Sequence, residues 1–209
     1  MKTKYPDLYK KHFVDKGDER LELFRVIHKE FKLNNGLYPG SFAHITPSLV
    51  IQQMVYVDSD TRCKKFYEDT LTREFVISNK EYDSQPIYRF HHADYSKYFD
   101  EDENSFDLLV SLYAGFVSKH CQKYLKIGGI LLANNSHGDA PLAYLDENFD
   151  FIGIVKRSSH RFKFSKESLE SYFITKSGKE INKIEIEKTM RGPGYTKAAY
   201  AYVFKKVNR

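Results

Sequence analysis

The sequence predicts a doubly wound α/β domain with a mostly parallel sheet and helices on both faces. Three observations support this class: short, continuous apolar segments recur along the chain, helical segments separate them, and neither linker nor repeat divides the 209 residues. Continuous apolar strands are typical of parallel sheets that helices bury on both faces. We therefore expect one domain over residues 1–209, with residues 1–35 as a helical extension packed on it.

The first half of the chain alternates helical and strand patterns. In order, the predicted elements are a helix over 19–32 capped by Asp18, a short strand at 37–38, a helix begun by Thr46-Pro47-Ser48, a strand at 54–58, a helix in the first part of 61–80 and a strand at 87–94. Each strand is short, and two of them end at an aspartate.

The second half continues the alternation and closes with longer strands. Its predicted elements are a strand at 106–115, a helix at 116–125, a turn at Lys126–Gly129, a strand at 130–135, a helix begun by Asp139-Ala140-Pro141, and strands at 149–157 and 197–206. The last two strands are predicted to pair antiparallel at the edge of the sheet. In such sheets, ligands bind at the carboxyl ends of the first strands.

Composition favours a protein of the cytoplasm. No apolar run approaches the roughly 20 residues that span a bilayer, and the first residues lack the apolar core of a secretory signal. Cys63 and Cys121 are predicted to be free, buried thiols. The net charge is +5, and residues 183–209 are rich in lysine and arginine. That basic end can approach a phosphate or an acidic substrate, or can be an ordinary solvated surface.

Four strand ends carry the residues that a nucleoside site needs. Gly40 marks a tight turn where backbone N–H groups can approach a ligand. Asp58 follows 18 residues later, a spacing at which a carboxylate can accept both ribose hydroxyls. Asp94 can accept from an adenine amino group, and Ser111-Leu112-Tyr113 lines the floor of the site. Taken singly, the glycine can be a structural corner and the aspartates can be helix caps.

These segments resemble class I S-adenosylmethionine-dependent methyltransferases from about Leu37 to the carboxyl terminus. The matching segments are LYPGSFAHI (37–45) for the glycine-rich first motif, VYVDSD (55–60) for the acidic second, HHADY (91–95) for the third, FDLLVSLYAG (106–115) for the fourth and YLKIGGILLANN (124–135) for the turn into the fifth strand. The closing strands resemble the family's antiparallel sixth and seventh. The resemblance implies a seven-stranded Rossmann-like methyltransferase fold with S-adenosylmethionine as the cofactor.

The resemblance also implies the residues of the site. The expected cofactor contacts are Tyr38, Pro39, Gly40, Ser41, His44, Asp58, Ser59, Asp94, Tyr95, Ser111 and Leu112. Candidates for positioning the acceptor or for acid–base work are Tyr113, Asn135 and His137. Tyr113 can instead be a packing aromatic. The polar run 134–139 can instead be a loop that caps the next helix, and His44 can have a capping role.

The first motif departs from the family pattern. Where the family has an acid and two further glycines, this chain has Tyr38, Phe42 and His44, which leaves Gly40 as its one glycine. No metal is expected, because the adjacent strand residues His91 and His92 point to opposite faces. The stretch 191–197 can close over a substrate or can be a plain exposed hairpin loop.

The sequence therefore predicts a methyltransferase acting on a small molecule. One alternative is a non-catalytic binding protein that keeps the sheet. A nucleic-acid methyltransferase is less favoured, because no separate recognition module is evident and the Asn-Pro-Pro-Tyr-type segment of amino-group methyltransferases is replaced by Ser111–Ala114. A nicotinamide enzyme fits least well, because G-x-G-x-x-G is absent.

Overall fold

The computed structural model describes residues 4–159 and 161–208. Its contacts divide the chain into two compact units, Met1–Phe99 and Asp100–Arg209. The expected single domain over residues 1–209 stays a prediction. Within the described residues, no helix combines the length and the apolarity needed to cross a membrane. Cys63 and Cys121 are free and buried, as predicted.

The amino-terminal unit contains a three-stranded parallel sheet. Its elements are α1 (Asp7–Tyr9), a π-helical turn (Lys10–Val14), α2 (Leu21–Phe31), β1 (Asn35–Pro39), a 3-10 turn (Thr46–Leu49), β2 (Gln53–Asp58), α3 (Thr61–Glu68), α4 (Thr70–Asn79) and β3 (Ile87–His92). Strand β2 pairs in parallel with β1 and with β3. Four consecutive residues of β2 are buried, which is the pattern of a strand covered on both faces.

Two local expectations in this unit are wrong. Asp18 does not cap α2: it pairs with Arg20, whose left-handed backbone (φ 58°) precedes the helix. The helix predicted from Thr46 is only a 3-10 turn ending at Leu49. The chain must become extended to enter β2 at Gln53, and this leaves no room for further helical turns.

The carboxyl-terminal unit contains a five-stranded mixed sheet. Its elements are β4 (Phe106–Ser111), α5 (Val117–Cys121), a 3-10 turn (Gln122–Tyr124), β5 (Leu125–Ala133), α6 (Asp139–Tyr144), β6 (Phe149–Ser158), β7 (Arg161–Ser165), a 3-10 turn (Leu169–Ser171), α7 (Lys183–Thr189) and β8 (Ala201–Lys206). The strand order is β4-β5-β8-β6-β7. Strands β4 and β5 are parallel, and β8 runs antiparallel to β5 and β6, so the predicted antiparallel closing pair is confirmed.

The described residues form eight strands, one more than predicted. The additional strand, β7, pairs with β6 in a hairpin. It was missed because two of its five residues are exposed cations, Arg161 and Lys163, which alternate with the buried Phe162 and the half-buried Phe164. The turn predicted at Lys126–Gly129 is instead part of β5, where the pairing register shifts and Gly128 adopts a positive φ of 82°.

Candidate functional site

The carboxyl ends of β1 and β2 meet in the amino-terminal unit. The N–H of Gly40 donates to the carbonyl of Val57 at 2.7 Å, and the N–H of Phe42 donates to Asp58 Oδ2 at 2.7 Å. Gly40 and Phe42 both have left-handed backbone conformations, with φ of 65° and 46°. The turn after β1 is therefore held directly on the carboxylate that ends β2.

Asp58 organises this edge of the sheet with both of its oxygens. While Oδ2 accepts from Phe42, Oδ1 accepts from the N–H of Asp60 at 2.8 Å. An ionised carboxylate has about four acceptor positions. Asp58 is also partly exposed. Two acceptor positions therefore stay available beyond the two backbone contacts.

The end of β3 lies beside Asp58. Asp58 is in register with His92, and the N–H of Ala93 donates to the Asp58 carbonyl at 3.1 Å. Asp94 follows, and its Oδ1 accepts from the N–H of Ser96 at 2.9 Å and from the Ser96 hydroxyl at 2.7 Å. Gly40, Asp58 and Asp94 thus lie at one edge of the three-stranded sheet, and Asp94 also shapes its own turn.

Two predicted site residues that follow β2 and β3 are exposed or half-buried. Ser59 is exposed, and its carbonyl accepts from His92 Nε2 at 3.0 Å. Tyr95 is half-buried in the turn after β3.

Other predicted residues of the first motif are buried. Pro39 and Ser41 have little exposed surface, and the Ser41 hydroxyl accepts from Tyr67 at 3.3 Å. His44 Nε2 donates to the Glu19 carbonyl at 2.9 Å, so its Nδ1 accepts from the Tyr38 hydroxyl at 3.1 Å. Burial holds the pKa of His44 well below its ordinary value. In this structure His44 is a neutral core histidine with both ring nitrogens engaged.

The ring of Phe42 is covered by two neighbours from the same unit. The Arg62 guanidinium lies 4.9 Å from the ring centroid, and the His12 ring packs edge-on at 5.0 Å. Arg62 also pairs with Asp60, which caps α3. These contacts hold the side chain of a residue whose backbone conformation is costly for anything but glycine.

In the carboxyl-terminal unit, the ends of β4 and β5 are joined by Asn134. Its Oδ1 accepts from the N–H of Tyr113 at 3.3 Å and from the Ser136 hydroxyl at 2.9 Å. Tyr113 has a positive φ of 62° and is 49% exposed, whereas Leu112 is buried. Tyr113 is therefore not a core aromatic, and it can present its ring to a molecule at this edge.

Asp139 is a buried carboxylate behind that edge. It accepts from the hydroxyl of Ser111 at the end of β4, and from both the hydroxyl (2.6 Å) and the N–H (3.0 Å) of Ser118 in α5. Burial raises the pKa of Asp139 to about 6, against the lowering effect of these hydrogen bonds. Asp139 was predicted only to begin α6. Nothing local in the sequence signals that it joins three elements.

Asn135 is engaged by the stretch that precedes β8. Its Nδ2 donates to the Pro193 carbonyl at 2.9 Å, and its buried Oδ1 packs on Gly192. A β-carbon at Gly192 would lie 1.7 Å from that oxygen. His137 Nδ1 lies 3.0 Å from the Ser136 hydroxyl. Asn135 therefore joins two loops, and the 191–197 stretch is not a plain exposed hairpin.

Comparisons with known proteins place the fold. No protein-family model and no curated protein matches the sequence. A solved structure from Thermotoga maritima, described as a SAM-dependent methyltransferase and possible histamine N-methyltransferase, aligns with 96% of this chain and 99% of its own. Its sequence identity is 11% and its TM-score is 0.50. This chain has the Rossmann-like methyltransferase fold.

Two further solved structures align less well with this chain. A SAM-dependent O-methyltransferase from Thermotoga maritima aligns with 89% of this chain and 65% of its own, at 14% identity and a TM-score of 0.48. The YcgJ protein of Bacillus subtilis aligns with 58% of this chain and 54% of its own, at 17% identity and a TM-score of 0.40. The match thus spans about half of YcgJ.

Two features of this site were not predicted from the sequence. The first is Phe42, whose backbone takes the left-handed conformation of a glycine and donates to Asp58. The second is the joining of β4, α5 and α6 by Asp139. The missing glycine at position 42 was itself the available signal for the first. Across the described part of the chain, no group of three His, Cys, Asp or Glu residues is arranged to hold a metal.

Proposed function

We propose that the chain binds S-adenosylmethionine at the carboxyl edge of β1–β3 and transfers its methyl group to a small-molecule acceptor. The observation that carries the proposal is the geometry of Asp58. Its carboxylate holds the turn after β1 through Phe42 and still has two acceptor positions, which match the two hydroxyls of a ribose. The methyltransferase fold supports the same cofactor.

Methyl transfer from a sulfonium is a direct displacement at carbon. Alignment of donor and acceptor can supply much of the barrier reduction, up to about 7–11 kcal/mol. A base is needed only when the acceptor holds a proton. In the proposal, Tyr113 positions the acceptor, and His137 is the candidate base if a proton must leave. Asn135 has a structural part, because its amide already holds the loop at Pro193.

Titration calorimetry with S-adenosylmethionine and with its demethylated product, S-adenosylhomocysteine, tests the proposal. We expect both ligands to bind the wild-type chain. Asp58→Asn is the decisive variant, because an amide keeps an acceptor oxygen for the turn but cannot accept from two hydroxyls and two N–H groups. We expect at least about a tenfold loss of affinity, which corresponds to 1.4 kcal/mol.

Asp69→Asn is the matched control. Asp69 is an exposed aspartate of the same unit that caps α4, and asparagine is an equally good cap. Asp69→Asn should bind both ligands with the affinity of wild type. If neither ligand releases heat or raises the melting temperature of the wild-type chain, the proposal is wrong. The non-catalytic alternative would then be favoured, consistent with the bulky Phe42 in the first motif.

A further inference from the structure

The hairpin of β6 and β7 extends past its neighbour in the carboxyl-terminal unit. Pairing of β6 with β8 stops at Val155, whereas pairing of β6 with β7 continues to Ser158 and Arg161. Among the described residues no third strand pairs with the end of the hairpin, which is thus a two-stranded ribbon. We refer to residues 156–159 and 161–166 as the cationic hairpin.

The cationic hairpin has basic but no acidic residues. Residues 156–166 contain five lysines and arginines and no aspartate or glutamate. The basic residues, all exposed, are Lys156, Arg157, Arg161, Lys163 and Lys166. The chain as a whole has 33 basic and 28 acidic residues, so the average composition does not explain this segment.

The cations lie on both faces of the ribbon. Lys156 is directly opposite Lys163, and Arg161 lies on that same face because side chains alternate along a strand. Arg157 is on the other face, opposite Phe162, with its guanidinium 5.5 Å from the phenyl centroid and 5.4 Å from that of Tyr200. Aromatic packing thereby fixes one cation in place.

The lysine pair is electrostatically unfavourable by itself. Like charges directly opposite each other destabilise a strand pair. Among the described residues, neither Lys156 nor Lys163 forms an ion pair, whereas Lys119, Lys123 and Lys126 of the same unit contact Glu187, Glu103 and Asp107. An edge strand often carries a lysine that prevents aggregation. That role accounts for Lys163 on β7. Lys156 lies beyond the last residue of β6 that pairs with β8, and it places a second cation directly opposite the first.

We propose that the cationic hairpin binds the phosphate backbone of a nucleic acid. A two-stranded ribbon fits the major groove of a duplex, where phosphates flank it on both sides. A membrane surface is planar and could meet only one face of the ribbon. The cationic hairpin contains none of the residues of the proposed cofactor edge, and the inference holds whether or not the chain binds S-adenosylmethionine.

Fluorescence anisotropy of a labelled DNA duplex, without cofactor, tests the inference. The variant is Lys156→Gln with Lys163→Gln, which removes the opposed lysines and should leave folding intact. We expect affinity to fall about tenfold or more. Between about 50 and 200 mM salt, the slope of log affinity against log salt should shrink by about 1.8, since each duplex phosphate contact contributes about 0.9.

The control is Lys176→Gln with Lys179→Gln, which removes the same charge from exposed positions of the same unit that lie outside the basic end 183–209. It should bind like wild type. The same titration with single-stranded RNA and with single-stranded DNA of one sequence shows which kind of nucleic acid supplies the phosphates. Binding of either strand that depends on the hairpin lysines also supports the inference. Equal weakening by both double variants would overturn it. So would hairpin-dependent binding to phosphatidylserine vesicles without binding to any nucleic acid.

Discussion

Phe42 combines a glycine-like backbone with a large side chain. Its φ of 46° costs an L-residue roughly 1–2 kcal/mol, and its N–H is needed by Asp58. The contacts of its ring with Arg62 and His12 offset part of that cost. The turn thus keeps the conformation that glycine would give, although the sequence departs from the glycine-rich pattern.

Comparing Phe42→Gly with Phe42→Ala separates the backbone cost from the ring contacts. Both variants lose the ring, but only alanine keeps the left-handed penalty. We therefore expect Phe42→Ala to be less stable than Phe42→Gly by about 1 kcal/mol in urea unfolding. Equal stabilities would show that the left-handed conformation at position 42 is not retained in solution.

The buried carboxyl of Asp139 links stability to pH. Burial raises its pKa to about 6, above the ordinary value of 3.8. Between these values the folded state binds a proton that the unfolded state has released. The stabilising contribution is therefore complete below about pH 4 and is lost as the pH rises through about 6.

Asp139→Asn removes this pH dependence. Relative to Asp139→Asn, wild type should lose on the order of 3 kcal/mol of unfolding free energy between pH 4 and pH 7. Denaturant unfolding across that range measures it, with the exposed Glu170→Gln as a control. A difference that stays constant with pH would contradict the assignment.

At the scale of elements, one contact fixes the loop before β8. Asn135, which follows β5, donates to Pro193, and Gly192 packs on the Asn135 side chain and carbonyl. Gly138 contributes to the same junction, because a β-carbon there would lie 2.4 Å from Ile186 of α7. Packing at this junction therefore requires small residues at positions 138 and 192. In the sequence these two positions are seen only as glycines in polar stretches, which does not indicate the requirement.

Gly192→Ala tests this junction. The added methyl would collide with Asn135 Oδ1 and lie 2.8 Å from the Asn135 carbonyl oxygen, so we expect a loss of about 1–3 kcal/mol in unfolding free energy. Gly194→Ala is the matched control, since its β-carbon would meet only Lys176 Cδ at 3.7 Å. Similar stabilities for the two variants would mean that the loop is not held at Asn135.

Element prediction succeeded where burial is continuous. The strands predicted at 54–58 and 106–115 contain apolar runs with four or more buried residues, and the pattern identified both, although the second ends at Ser111. Element prediction failed where the tertiary structure overrides the local preference of the sequence. The helix expected after Thr46 is cut short by the start of β2, and β7 carries exposed cations at a sheet edge.

At the scale of the whole molecule, the chain has a methyltransferase fold. A solved structure with only 11% sequence identity aligns with 96% of this chain. Burial patterns and strand order can be kept while nearly every residue changes, since cores tolerate substitution that preserves volume and polarity. Activity depends on a few side chains instead. For that reason the proposed cofactor site is tested through a single side chain, Asp58.

The sequence by itself determined the α/β class, the approximate position of most strands, the antiparallel closing pair and the aspartate that ends β2, whereas β3 ends at His92, two residues before Asp94. These follow from periodicity and from the chemistry of single residues, which act locally. Only the tertiary structure decided that His44 is a core residue, that Phe42 takes a glycine conformation, that Asp139 joins three elements and that Lys156 faces Lys163. The first three depend on contacts between segments distant in the chain, and the last depends on the pairing register of a hairpin.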